Sequence, residues 1–120
     1  MKVLVCGGRD FVDQGFLNSI LDLYHAKLSF SFVIEGGARG ADSLARTWAV
    51  RNKVDYKEYK ADWDSFGRAA GSIRNRLMLE EGKPDFVIAF PGAKGTENMI
   101  SQAKLKKVPI LKIELPNERS

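Results

Sequence analysis

The stretch Phe32–Ala45, FVIEGGARGADSLA, predicts a short buried strand, a glycine-rich turn and the start of an amphipathic helix. The turn holds Gly36, Gly37 and Gly40, which remove side chains where a ligand could contact the backbone. Backbone N–H groups at such a turn and at the following helix N-terminus attract anions, and the helix dipole adds to this attraction. Arg39 supplies a planar charged group suited to phosphate or carboxylate. The stretch therefore favours phosphate binding over an ordinary strand-to-helix turn.

Two further turns of this kind follow predicted strands. One, GGR at 7–9, ends the apolar run at 2–6, and the other, PGAKGT at 91–96, ends the run at 85–90. Each turn supplies glycines and a cation, and Thr96 is expected to cap the helix after the last turn. The complete G-x-G-x-x-G fingerprint and the G-K-S/T phosphate loop are both missing. The common nicotinamide and ATPase sites are therefore not favoured.

Strands and helices alternate along the whole chain, which predicts a parallel sheet covered on both faces. Because crossovers are right-handed, few topologies remain. We expect an α/β fold with a single Rossmann-like doubly wound sheet of about five strands in the order 3-2-1-4-5. Ligands bind such sheets outside the carboxyl ends of the strands, where the order reverses. The three turns meet at that edge, which predicts a site there for a phosphorylated small molecule.

The composition restricts the classes of protein that this chain can represent. At 120 residues it fits one domain, which we place at 1–114, with a C-terminal tail at 115–120. No apolar run reaches the roughly 18 residues of a membrane span. One cysteine cannot form an internal disulfide, so we expect a reducing, cytoplasmic compartment. The net charge of +4 favours anionic partners.

Several residues outside the glycine turns carry chemistry, and some have two interpretations. Trp63 lies in an arginine-rich segment at 60–76, where it either stacks on a base or closes the core. Asp42 either binds a ribose or only favours the dipole of its helix. The single histidine, His25, has no partner at metal-binding spacing and is expected to be structural or solvated. We therefore expect no metal and no resident cofactor.

Four motifs give the chain a resemblance to a known superfamily. In order they are GGR at 7–9, GGARGAD at 36–42, Trp63 with Gly71 and Arg74-Asn75, and PGAKGT at 91–96. With these motifs the chain resembles the SLOG superfamily, the Rossmann-like group that includes the Lonely Guy proteins and Smf/DprA. Within it, the chain is similar to the small stand-alone, YspA-like branch. The resemblance covers 2–113 and implies a nucleotide or nucleotide-derived ligand, and often a homodimer or higher homo-oligomer.

The same resemblance raises the question of catalysis. Lonely Guy enzymes are phosphoribohydrolases, and their loop P-G-G-x-G-T-x-x-E ends in a catalytic glutamate assisted by an arginine on the third helix. Arg74 matches that arginine and would be catalytic only in an enzyme. The glutamate position falls on Met99, which cannot transfer a proton. Glu97 lies about 200° around the helix from that position and is a poor substitute, while Ala93 replaces the second glycine of the loop.

We therefore expect a protein that binds a phosphorylated nucleotide or nucleotide-derived molecule, such as an ADP-ribose-type or cyclic nucleotide signal, as a sensor or sequestering protein. The resemblance implies this ligand class, because relatives in bacterial defence systems bind ADP-ribose-derived signals. The expected ligand-binding residues are Gly7, Gly8, Arg9, Gly36, Gly37, Ala38, Arg39, Gly40, Asp42, Trp63, Arg74, Asn75, Pro91, Gly92, Lys94, Gly95 and Thr96.

Two alternative functions remain open. The first is a phosphoribohydrolase-like enzyme that cleaves the N-glycosidic bond of a nucleotide, using Arg74 and a carboxylate from Asp10, Asp42, Asp62 or Asp64. The second is single-stranded DNA binding, which the likeness to Smf/DprA suggests. The mildly basic charge and the lack of an aromatic and basic track argue against it. Neither nucleic acid nor a membrane is an expected partner.

Overall fold

Five parallel strands form one sheet in the order β3-β2-β1-β4-β5. The computed structural model describes residues 1–115. The order is the one predicted from the sequence, so the expected Rossmann-like α/β fold is confirmed. The strands are β1 (Lys2–Cys6), β2 (Phe32–Glu35), β3 (Asp55–Glu58), β4 (Phe86–Ala89) and β5 (Ile110–Lys112). All but the first residue of the expected tail at 115–120 lies outside the described residues.

Helices cover both faces of this sheet. Residues that alternate along β1 point to opposite faces, so Val3 and Val5 contact one set of helices and Leu4 and Cys6 contact the other. No helix within residues 1–115 is long and apolar enough to cross a membrane. The helices are α1 (Gln14–Leu28) and α2 (Ala41–Arg51) on the first face, the short α3 (Trp63–Phe66) with a 3₁₀ turn (Gly67–Ala69), and α4 (Ala70–Glu80) and α5 (Lys94–Leu105) on the second face.

His25 and Trp48 are structural residues of the first face. Trp48 is almost fully buried, and its indole N–H donates to Asp22 at 2.8 Å. The His25 ring lies edge-on to Trp48, with 5.3 Å between the centroids, and its Nδ1 accepts a hydrogen bond from the Phe30 amide at 2.9 Å. These contacts use the histidine to join α1 to the core, in agreement with the expected structural role.

The three glycine turns meet backbone to backbone at the carboxyl edge of the sheet. The Gly8 amide donates to the Pro91 carbonyl at 2.8 Å, and the Gly8 carbonyl accepts from the Ala41 amide at 3.1 Å. Gly40 has a φ of 80°, and a Cβ there would collide with the Gly8 carbonyl. A Cβ on Gly92 would lie 2.7 Å from the Gly8 nitrogen. Glycine is therefore required at these positions because neighbouring backbone occupies the space of a side chain.

Gly40→Ala is expected to lower the free energy of unfolding by more than about 2 kcal/mol, because it adds a left-handed backbone penalty to a collision with Gly8. Gly15→Ala is the matched control, since a Cβ there contacts only Asp13 Oδ1 at 3.7 Å on a helix. That variant is expected to gain about 0.5–1 kcal/mol. Urea denaturation followed by circular dichroism measures both, and equal effects would contradict the packing of these turns.

Candidate functional site

A cleft of about 880 Å³ lies at the carboxyl edge of the sheet, where β1 and β4 lie side by side and the strand order reverses. Its walls come from the turns after β1, β2 and β4, from α3 and from the start of α4. Most of the residues expected to bind the ligand line it. These are Gly7, Gly8, Arg9, Ala38, Arg39, Asp42, Trp63, Arg74, Asn75, Pro91, Gly92, Lys94, Gly95 and Thr96.

The remaining three expected residues, Gly36, Gly37 and Gly40, do not line the cleft. They belong to residues 36–40, which we call the glycine loop, and they lie behind the wall of the cleft. A Cβ on Gly36 would approach Arg74 Nη1 to 2.7 Å and Asp42 Oδ2 to 2.8 Å. Gly36 therefore makes room for the side chains of the cleft floor.

The Arg74 guanidinium is held by the backbone and by an amide. Its Nη1 donates to the Gly36 carbonyl at 2.6 Å, and its Nε donates to Asn75 Oδ1 at 3.0 Å. Asn75 in turn donates from Nδ2 to the Gly95 carbonyl at 3.2 Å and to Asn98 Oδ1 at 3.0 Å. These bonds join α4 to the turn after β2 and to α5. The guanidinium has further N–H donors, and Arg74 lines the cleft, so these donors can bind an anion.

Arg74 is a cation without a paired carboxylate. Within residues 1–115, no ion pair includes it. Burial lowers the pKa of Arg74, the Asp42 carboxyl opposes this shift, and the nearby Arg9 lowers the pKa further. An anion in the cleft would relieve both the desolvation and the repulsion between the two guanidinium groups.

Asp42 is the buried carboxyl of the cleft. Its Oδ2 accepts a hydrogen bond from the Ala38 amide at 3.2 Å. Burial raises the pKa of Asp42 to about 6, although the Ala38 bond and the Arg74 charge lower it. None of the ion pairs in residues 1–115 includes this carboxyl. It is thus placed to accept a hydrogen bond from a ligand hydroxyl or to exchange a proton near neutral pH.

Trp63 forms an open wall of the cleft. It is 48% exposed, so it does not close the core, which was the alternative interpretation. The guanidinium carbon of Arg9 lies 5.4 Å from the centroid of the Trp63 ring, a cation–π contact. Asp62 fixes the start of α3 by accepting a hydrogen bond from the Ser65 amide at 3.1 Å. The ring therefore stands on a short capped helix, half exposed at the cleft, with the Arg9 guanidinium over it.

The start of α5 differs from the sequence prediction. The helix begins at Lys94 with Ala93 at the N-cap, so the prediction that Thr96 caps it is wrong. Thr96 is buried one turn later, where its side chain packs against the Cα of Gly92. The first N–H groups of any helix lack intrahelical partners, and the methyl group of Ala93 cannot cap them, so within residues 1–115 no N-cap side chain binds those of α5. Together with Lys94, they make this end of the cleft favourable for phosphate.

The cleft also has residues that the sequence analysis did not select. Arg68 adds a cation, and the arginine-rich composition of 60–76 was the signal that could have identified it. Asn98 pairs with Asn75 across two helices, and no local pattern predicts such a contact. Arg39 lies at the rim, where it is largely exposed and pairs with Asp10 at 3.1 Å.

The position of the hydrolase glutamate lies in the hydrophobic core. Met99 is fully buried among apolar residues of the second face, and Glu97 is exposed and outside the cleft lining. Among the other carboxylates considered, Asp62 caps α3 and Asp64 does not line the cleft. Within residues 1–115, no three His, Cys, Asp or Glu side chains are placed to hold a metal ion together.

Glu35 is a further charged residue that the sequence analysis did not select. It ends β2 and is 0% exposed. Its Oε1 accepts a hydrogen bond from the Gly37 amide at 2.6 Å, and its Oε2 has no hydrogen-bond partner in the described part of the chain. Burial raises the pKa of Glu35 to about 7; the Gly37 bond lowers it, and Asp42 and Glu58 raise it.

Comparisons with known proteins agree with the family resemblance found in the sequence. The model of the YspA, cpYpsA-related SLOG family (YAcAr) matches residues 1–66, which include the first two glycine turns and Trp63. The Gene 61 protein of Mycobacterium phage D29 is 32% identical over 118 residues, which cover 92% of this chain and 94% of that protein. No solved structure matches the chain.

Glu35→Gln is expected to change how stability depends on pH. A carboxyl whose pKa rises to about 7 on folding holds its proton more tightly in the folded state. Stability is therefore lost as the pH rises from the ordinary carboxyl pKa to about 7. Glutamine does not titrate and does not lose this stability. The free energy of unfolding of the variant, compared with that of the wild type, should therefore rise by about 2 kcal/mol when the pH is raised from about 5 to about 8. Urea denaturation at both pH values measures this, and a constant difference would contradict it.

Proposed function

The chain belongs to the YspA, cpYpsA-related SLOG family, and from this premise we propose that it binds a phosphorylated nucleotide or nucleotide-derived molecule in the cleft, as a sensor or sequestering protein. The observation that carries the proposal is the half-buried guanidinium of Arg74. It is fixed by Gly36 and Asn75, lies near Arg9 and has no ion pair within residues 1–115, although the Asp42 carboxyl is nearby. Partial burial of a charge beside a second guanidinium costs free energy that an opposite charge reduces, and an anionic ligand adds such a charge.

Phosphate groups fit one end of the cleft. The N-terminus of α5 offers unpaired N–H groups and the positive end of its dipole, and Lys94 adds a mobile charge. Arg74 and Arg9 extend the positive region along the floor. A diphosphate can contact both regions at once, which favours ligands of the ADP-ribose type over a single phosphate.

The sugar and base fit the groups beside these two arginines, since Asp42 lies near Arg74 and Trp63 lies against Arg9. The buried carboxyl of Asp42 accepts hydrogen bonds from ribose hydroxyl groups, as acidic residues do in other nucleotide sites of this fold class. Trp63, half exposed, supplies a face for base stacking. The cleft volume of about 880 Å³ is within the range for small-molecule ligands of this size.

Binding without hydrolysis is favoured because the hydrolase glutamate has no counterpart. Met99 fills that position and is fully buried, so no carboxylate can take its place there without entering the core.

We include in the proposal a homodimer or higher homo-oligomer, which light scattering tests directly.

A second candidate is an enzyme that cleaves an N-glycosidic bond. The observation that favours it is Asp42, a cleft carboxyl with a pKa raised by burial to about 6 and a guanidinium nearby. Such a group could assist the departure of a base or stabilise developing positive charge at the ribose.

One experiment separates the two candidates. The purified protein is incubated with nucleoside monophosphates, ADP-ribose, cyclic ADP-ribose isomers and a single-stranded DNA oligonucleotide, and the free and heat-released fractions are analysed by mass spectrometry. Depletion of one small molecule that returns intact on heating supports a binding protein. Free base and ribose phosphate in excess of the protein would contradict a binding protein and support the enzyme. Retention of the oligonucleotide alone would contradict both.

Arg74→Ala is expected to weaken binding of the retained molecule at least about tenfold, because charge-assisted hydrogen bonds to phosphate are lost. Arg74→Lys keeps the charge but loses the planar fork, and should recover only part of the affinity. The matched control is Arg51→Ala, which removes the same charge from the exposed end of α2. Calorimetric titration measures the affinities, and equal affinity in both alanine variants would contradict the assignment.

Asp42→Asn tests the sugar contact. If the carboxylate accepts a hydrogen bond from a ribose hydroxyl, the wild type should prefer a ribonucleotide to its 2′-deoxy or 3′-deoxy analogue by about tenfold. The variant should lose most of this preference while keeping affinity for the deoxy analogue. Competition against the retained molecule measures both ratios, and an unchanged preference would mean that the hydroxyl groups lie elsewhere.

A further inference from the structure

We propose that Glu35 is a positioning residue beneath the cleft, and that the gain or loss of its proton tunes the affinity of the cleft for anions. The proposal rests on the proposed function for the cleft itself. It adds a proton-linked residue that does not contact the ligand.

The first step is the environment of the carboxyl. Glu35 is completely shielded from solvent, and only its Oε1 has a hydrogen bond, from the Gly37 amide. Oε2 has no partner within residues 1–115, although a buried carboxylate oxygen normally has one. An unpartnered buried oxygen favours the protonated form of the acid.

The second step is the arrangement of neighbouring charges. Glu35 is in register with Glu58 on β3, and the nearby cations bind Glu58 instead. Arg46 Nη1 donates to Glu58 Oε1 at 2.9 Å, and Lys60 Nζ lies 3.4 Å from Glu58 Oε2. No ion pair in the described part of the chain includes Glu35. The carboxylates of Glu35 and Glu58 therefore lie in the same region, and within residues 1–115 only that of Glu58 is neutralised by cations.

The glycine loop connects Glu35 to the cleft. It begins directly after Glu35, and its backbone groups bind alternately to side chains of the cleft floor and to Glu35. The Gly36 carbonyl holds Arg74, the Gly37 amide donates to Glu35, and the Ala38 amide donates to Asp42. A change in the charge of Glu35 thus acts on a loop that positions both the cation and the carboxyl of the cleft floor.

The charged and titratable groups around Glu35 determine the direction of the effect. They are Asp42 and Arg46 on α2, Glu58 and Lys60 at β3, Arg74 on α4 and the thiol of Cys6 on β1. Burial raises the pKa of Cys6, so the thiol stays protonated. Burial raises the pKa of Asp42 to about 6 and the pKa of Glu35 to about 7. Both carboxyls therefore exchange protons near neutral pH, and the Glu35→Gln variant isolates the share of Glu35.

Protonation of Glu35 removes a negative charge from beneath the cleft. An anion should bind more tightly below about pH 7 than above it. By linkage, binding of an anion should draw a proton onto the protein near that pH. The short hydrogen bond to Gly37 should also weaken when the acceptor loses its charge.

The test uses two probes that do not titrate near neutral pH, sulfate and ADP-ribose. Calorimetry between about pH 6.5 and about pH 8, in buffers of different ionisation enthalpy, gives the affinity and the proton uptake. We expect roughly threefold weaker binding at the upper pH and uptake of part of a proton near pH 7. Affinity that does not change with pH would overturn the proposal.

Glu35→Gln keeps an acceptor for Gly37 and removes the proton equilibrium. It should bind both probes with an affinity close to that of the wild type at the lower pH, without the uptake near pH 7. Glu81→Gln, an identical chemical change at the exposed end of α4, should behave as the wild type does. Uptake that persists in Glu35→Gln would overturn the proposal even if both probes bind.

The outcomes separate this inference from the proposed function. Linked binding of sulfate without binding of any nucleotide would end the nucleotide proposal and support Glu35. Binding of ADP-ribose without proton uptake would support the nucleotide proposal and end the Glu35 proposal. Failure of both probes to bind would overturn both proposals.

A measurement on the ligand-free wild type tests Glu35 without any variant. In carbon-detected NMR, the Glu35 carboxyl and the Gly37 amide should titrate together near pH 7, and a Glu35 midpoint in the ordinary carboxyl range would overturn the inference.

Discussion

The backbone of Gly8 is the point on which the site depends. Its amide donates to the turn after β4, and its carbonyl accepts from the first residue of α2. These two hydrogen bonds hold three chain segments within backbone contact, so the space for side chains disappears at Gly40 and Gly92 as well. The glycines therefore serve first to let the turns meet. The open N-terminus of α5 and the donors of Arg74 face the cleft only because the turns have met.

This constraint explains which parts of the site the sequence predicts. Alternation of strands and helices leaves few strand orders, and in the doubly wound order the turns converge at one edge, so Arg9, Asp42 and Lys94 could be assigned to that edge. The family resemblance added Arg74. Other features depend on contacts between distant elements. The Asn75–Asn98 pair arises from how α4 and α5 pack, which local propensity does not encode. The start of α5 at Lys94, with Ala93 at the N-cap, departs from the preference for threonine at that position.

The environment of Glu35 is another feature that the sequence does not predict. In the sequence it is one residue of a strand that precedes a conspicuous glycine motif, and a glutamate at a strand end is usually solvated. In the folded chain the Gly37 amide binds only its Oε1, while Glu58 binds Arg46 and Lys60, so Glu35 is buried without an ion pair within residues 1–115. The chemistry of the residue therefore results from tertiary contacts, and so does the unpartnered oxygen.

The arrangement of charges also bears on catalysis versus binding. A glycosidic hydrolase of the Lonely Guy type needs a carboxylate on the helix after β4, and this chain has a core methionine there. Its raised-pKa carboxyls, Asp42 and Glu35, lie instead on the β2 side, next to the guanidinium that the glycine loop positions. Under the proposals made above, protons held on that side adjust the charge around Arg74 and thereby change how tightly an anion is held. The proposed function follows from this arrangement: a nucleotide is retained at the β2 side, and the position of the hydrolase carboxylate is occupied by the core.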